Sequence, residues 1–271
     1  MQFSNVVAAP FVLAALVLLY LSWTVDSAYA PWLAATVLPA ALVYVFAPQI
    51  DWWYYSRRPK PLEARLRVLL EQYMPFYRQL PAAGRKRFEG RLVLFRMGTE
   101  WMPMAWPDEE VPPDVMLALS AQAVSLTWAR PEVLLAKFEQ VIVYPKPFPT
   151  PEYPFGHASE LYAPDGCLLF SAEQVMQAFI QPYRWYNVGL HEYAKALVLC
   201  HPELAWPDAE QPDVWEKLEQ VSNMTRAHIE SVIGLAGVDP LPVMMHHYRV
   251  FPEPFREIFP DESRTLAALL D

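Results

Sequence analysis

The chain has 271 residues, room for one large domain or two small ones, and a net charge of −9 from 21 Lys and Arg against 30 Asp and Glu. This acidic balance argues against a nucleic-acid partner, because phosphate binding needs clustered Lys and Arg. The two cysteines, Cys167 and Cys200, have no metal-binding spacing and imply no disulfide framework, as expected in a reducing compartment.

Two apolar stretches open the chain, residues 5 to 24 and 28 to 48, with no charge inside either. Each has about 20 residues, enough to cross about 30 Å of hydrocarbon as a helix. Only "VDSAYAP" separates them, which predicts a tight hairpin with Asp26 near its turn. In the flank "DWWYYSRRPKP", the Trp and Tyr residues suit a lipid–water interface, and Arg57, Arg58 and Lys60 suit the cytoplasmic side. The expectation is a bacterial inner-membrane protein with two spans, lipid contact through residues 5–48 and a soluble domain facing the cytoplasm. "SAYA" has the small-x-small pattern of a signal-peptide cleavage site, but no Lys or Arg precedes the first apolar run and the second run would remain after cleavage.

Beyond the flank, "LEARLRVLLEQYMPFYRQL" has helical spacing at Leu62, Leu66, Leu69, Leu70 and Tyr73 until Pro75 interrupts it. "AGRKRFEGRLVLFRMG" reads as an amphipathic helix whose basic run is a solvated face. "WMPMAWPDEEVPP" is a loop or short extended piece, after which Asp114 can cap the mostly apolar central helix "VMLALSAQAVSLTWA". "EQVIVYPKPFP" predicts a strand through Val141, Ile142, Val143 and Tyr144, and "SELYAPDGCLLFS" two short strands around a Pro-Asp-Gly turn. Residues 172 to 200 read as helical with a break at Pro182. More helices follow in "QPDVWEKLEQVSNMTRAHIESVIGLAG" and "PVMMHHYRVF", and "PEPFREIFPDESRTLAALLD" closes the chain. The fold class is α+β, mainly helical, with a small sheet.

Several blocks, "MPFYRQLPAAGRKRFEGRLVLF", "LALSAQAVSLTW", "FEQVIVYPKPF", "YNVGLHEYAKAL" and "VFPEPFREIFP", together resemble the Mlc titration factor A family of zinc metallopeptidases, and they occur in that family's order. The resemblance covers roughly residues 62 to 262; the two apolar stretches lie outside it. It implies a zincin-like metallopeptidase domain with a sheet edge above a metal cleft. Together with the two apolar stretches it divides the chain into a transmembrane hairpin (1–50), a juxtamembrane linker (51–61) and a metallopeptidase-like domain (62–271). In the family, zinc is held by the two histidines of H-E-x-x-H and a later glutamate, and the motif's own glutamate is the general base. Two histidines at i and i+4 share one helix face and can share one metal. A fourth position is left for water, whose pKa the metal lowers to about 7.

Carried onto this sequence, the resemblance makes His191 the first ligand and Glu192 the general base of an active enzyme. Lys195 stands where the second histidine belongs. His246 falls at the glutamate ligand, with His247 or Met245 if the register slips by one. A lysine amine, of pKa about 10.4, ligates zinc poorly, so Lys195 is expected to fill the metal position with its ammonium and pair with Glu192. A rebuilt site of His191, His246 and His247 or His228 is the alternative; His201 and Cys200 are badly placed on the helix. Zinc is therefore expected to be absent or weakly bound. The expected role is a non-catalytic, protein-binding or regulatory module, with a protein partner or peptide lying along an edge strand at Val141–Tyr144 or "CLLFS". An active zinc peptidase with rearranged ligands is one rival. A structural subunit of a membrane complex, its hairpin packed through small residues against other spans, is another.

Overall fold

A computed structural model describes residues 2–271. The chain divides into two compact units, Met1–Lys60 and Pro61–Asp271.

The first unit is helical. Helices α1 (Phe3–Thr24) and α2 (Ala30–Val45) pack as a hairpin around a 3₁₀ turn at Ser27–Tyr29, where the Asp26 carboxylate accepts the Ala28 N–H at 2.9 Å. Mean hydropathy reaches 2.3 in Phe3–Thr24 and 1.5 in Ser27–Val45, so both helices are long and apolar enough to cross a membrane. Helix α3 (Ala47–Arg57) follows, with Pro48 preset for its first turn. The segment expected as a linker is thus helical as far as Arg57. Asp51 explains part of this order: its buried carboxylate accepts the Ser4 N–H at 2.8 Å and the Ser4 hydroxyl at 2.9 Å. One side chain of α3 thereby serves a free N–H group in the first turn of α1.

The second unit begins with α4 (Ala64–Tyr73), α5 (Pro75–Gln79) and α6 (Ala82–Gly98). Strand β1 (Glu100–Pro103) and helix α7 (Pro113–Leu126) come next. Then come β2 (Gln140–Tyr144), β3 (Ser159–Tyr162), β4 (Cys167–Ser171), α8 (Ala172–Ile180) and α9 (Val188–Cys200). Helices α10 (Val214–Ser222), α11 (Arg226–Ile233), α12 (Pro240–Val250), α13 (Pro252–Ile258) and α14 (Pro260–Leu270) complete it. The architecture is mainly helical with a small mixed sheet of order β1-β2-β4-β3, in which only β3 runs antiparallel to its neighbour. The β3–β4 turn needs Gly166: its φ is +66°, and a Cβ there would lie 2.4 Å from the Lys137 carbonyl oxygen.

Helix α7 is central, buried at every position from Leu117 to Leu126 and packed against α6, α8 and α9. It starts earlier than the sequence suggests. Pro113, with its φ preset, opens the first turn, so Asp114 lies inside the helix instead of capping it. Its far end is finished by Arg91, a buried side chain of α6. Arg91 donates to the carbonyl oxygens of Thr127, Arg130 and Glu132 at 2.7, 2.9 and 2.9 Å, and burial lowers its pKa to about 10. Arg91→Leu is expected to remove about 2–4 kcal/mol of stability, since buried carbonyls lose a charged donor; denaturant unfolding of the full chain in detergent measures it.

One strand assignment needs correcting. Val141, Ile142, Val143 and Tyr144 form a strand, but β2 lies inside the sheet, paired with β1 on one side and β4 on the other. "CLLFS" is interior as well. The start of the segment read as a loop or short extended piece supplies the outer neighbour, and Pro103, which has no N–H for a ladder, is tolerated at that margin. The edges are β1 and β3, and α9 packs against β3.

Candidate functional site

Helix α9 carries the His-Glu pair. Its start is fixed by Asn187, whose side-chain oxygen accepts the Leu190 N–H at 3.0 Å. Packing against α7, α12 and β3 then buries the first turns, leaving His191 2% and Glu192 1% exposed.

A buried carboxylate needs partners for both oxygens. For Glu192 Oε1 the partner is Ser159 on the edge strand, whose hydroxyl donates at 2.9 Å. For Oε2 it is Lys195, one turn along α9, with Nζ at 2.9 Å; among the described residues no other partner reaches this oxygen. Burial pushes the Glu192 pKa up, but the Lys195 charge, His191 and the hydrogen bonds from Lys195 and Ser159 outweigh it. The carboxyl is held below its ordinary range.

His191 is held by its Nδ1, 2.7 Å from the Tyr186 hydroxyl. Burial pushes the Tyr186 pKa well up, with the Glu192 charge adding to it, so the phenol keeps its proton. Burial likewise lowers the pKa of His191 to about 4, against the opposing pull of Glu192, and the ring is neutral at pH 7. Among the described residues, no hydrogen bond engages its Nε2.

His246 is differently committed. Its Nε2 accepts the backbone N–H of Asn187 at 3.0 Å, its Nδ1 lies 3.0 Å from Nδ1 of His247, and its ring stacks on Tyr186 at 4.3 Å. The Asn187 N–H fixes the tautomers by hydrogen-bond logic. Because Nε2 is an acceptor, a neutral His246 carries its proton on Nδ1 and donates it to His247, which is then protonated at Nε2. Burial keeps both rings neutral, lowering His246 well below its ordinary range and His247 to about 3.

These commitments decide whether zinc fits. A ligand must offer a free lone pair, and both nitrogens of His246 are already spent. Lys195 presents an ammonium where the i+4 imidazole would be. His247 shares its Nδ1 with His246; His228 is exposed on α11; His201, at the end of α9, faces Arg130 and Glu203. Among the described residues, no three His, Cys, Asp or Glu side chains are grouped to hold a metal ion. The residues present do not fit the zinc site that the sequence pattern implies.

The structure therefore brings together His191, Glu192 and Lys195, and links His246 to them through Tyr186 and Asn187. Ser159, Tyr186 and Asn187 were not singled out from sequence. The latter two stand just before the His-Glu pair and could have been suspected as its orienting groups. No sequence signal marks Ser159.

A buried His-Glu helix against the antiparallel edge of a small mixed sheet defines a metallopeptidase-like protein. A family model for the glucose-regulated metallo-peptidases M90 matches residues 50–198, more than half of the chain. The chain belongs to the M90 metallopeptidase family, in which zinc is the implied metal. No curated protein matches it. The matched segment includes His191, Glu192 and Lys195 but ends before His246.

Proposed function

We propose that this chain is a membrane-anchored member of the family that binds a protein partner in its cleft and does not cleave it. The observation that carries this reading is the Lys195 ammonium, 2.9 Å from Glu192 Oε2. A general base must be free to take a proton from water. Here the carboxylate is neutralised by a cation belonging to the same helix and fixed by Ser159. The cation that a peptidase takes from solution is supplied by the chain, at the i+4 position of the motif.

What remains usable is the edge strand β3, which lies beside Glu192 and offers an unpaired margin to an extended peptide. Helices α1 and α2 would hold the domain at the membrane, with Arg57, Arg58 and Lys60 on the cytoplasmic side of a bacterial inner membrane. Elemental analysis of the full chain, purified in detergent without chelators, tests the reading. The expected result is zinc well below one per chain, with no peptide hydrolysis. Zinc at about one per chain, together with hydrolysis abolished by Glu192→Gln, would overturn it.

A further inference from the structure

Where α9 ends, its outer face forms one wall of a cavity of about 440 Å³, within the range of about 300–1,000 Å³ of ligand sites. Val198 and Leu199 of α9 and Leu241 of α12 supply apolar walls, and Lys195 reaches the cavity from the site described above. Leu199 is 45% exposed, a large apolar side chain left in solvent. Asp208, Glu210 and Asp239 complete the lining. All three are exposed, and none takes part in an ion pair among the described residues. Asp239 precedes α12 without capping it by its side chain. The one cation in the lining, Lys195, is drawn to Glu192.

The cavity is therefore apolar in its walls and anionic in its lining, and the chain leaves that charge unanswered. This combination suits a side chain with an aliphatic stem and a cationic head. The stem covers Val198, Leu199 and Leu241, and the head meets the carboxylates. A guanidinium fits better than an ammonium, because it is more weakly hydrated and offers several donors in one plane. An acidic segment would meet like charges at the same lining.

We propose that this cavity receives an Arg or Lys side chain of the protein segment bound in the cleft, with Asp208, Glu210 and Asp239 selecting for positive charge. The assignment rests on the protein-binding reading above and names the chemistry of the partner. It places the basic residue beside Lys195, so the helix that lost its metal ligand also carries the wall of the specificity pocket.

Fluorescent hexapeptide pools with Arg, Lys, Ala or Glu fixed at a central position test it, with binding read as anisotropy on the full chain in detergent micelles. The Arg and Lys pools are expected to bind at least about tenfold more tightly than the Ala pool, and the Glu pool most weakly. In the variant Asp208→Asn/Glu210→Gln/Asp239→Asn the preference should shrink to under about twofold with thermal unfolding unchanged, since all three side chains are exposed, and the amide at position 208 keeps the oxygen that accepts the Glu210 N–H at 2.9 Å. Salt should weaken the Arg and Lys pools more than the Ala pool. Equal binding of all pools, or a preference that survives the triple substitution, overturns the assignment while leaving the cleft as a peptide-binding site; binding of no pool overturns both readings.

Discussion

Lys195→Met should destabilise the domain by about 2–4 kcal/mol, and Glu192→Gln in the same chain should recover most of that loss. Glu192 is 1% exposed, and among the described residues its Oε2 has no partner but the ammonium. Removing the cation leaves an uncompensated buried charge, which costs far more than the net worth of the pair. A methionine keeps the stem's packing, so the effect reports on charge. Glu192→Gln alone is expected to cost only about 1 kcal/mol, because Lys195 is 30% exposed and can turn its ammonium to water. The double-mutant cycle, read by denaturant unfolding in detergent, should give a coupling of about 2 kcal/mol. Coupling near zero would mean that the ammonium does not hold Glu192, and the proposed replacement of metal by lysine would fail with it.

The ion pair was legible because it is local: one turn of helix brings positions 192 and 195 together in any α-helix. The helix start at Pro113 was missed in favour of a cap at Asp114, although proline presets the first turn there as it does at Pro240, Pro252 and Pro260. The β-forming run Val141–Tyr144 announced a strand but not its neighbours. Its place in the sheet depends on Glu100–Pro103, a segment with little strand character of its own. The state of His246 was illegible for the same kind of reason. Imidazole at that position suited a ligand, and only the fold brings up the Asn187 N–H, 59 residues earlier, that occupies its lone pair. The pocket carboxylates come from separate segments, near 208 and 239, and no sequence pattern joins them.

The occupied lone pair of His246 makes the last expectation specific. Lys195→His alone completes the H-E-x-x-H pattern, yet it should raise zinc affinity only weakly. It supplies two imidazoles on one helix face, and the third position still belongs to a ring that accepts from Asn187 and donates to His247. Lys195→His with His246→Glu offers a third ligand and adds a negative charge facing the cation. Zinc affinity should then rise at least about 100-fold over the unsubstituted chain, as a third ligand completes a site that leaves one position for water. Competition with a chelating dye measures both variants. The glutamate leaves Asn187 without its imidazole acceptor, so unfolding of the metal-free double variant must be followed alongside. A destabilised protein that recovers stability on adding zinc would show metal bound to the folded state. Should Lys195→His alone bind zinc as tightly as the double variant, His246 would be available as a ligand, and its commitment to Asn187 would not be what excludes the metal.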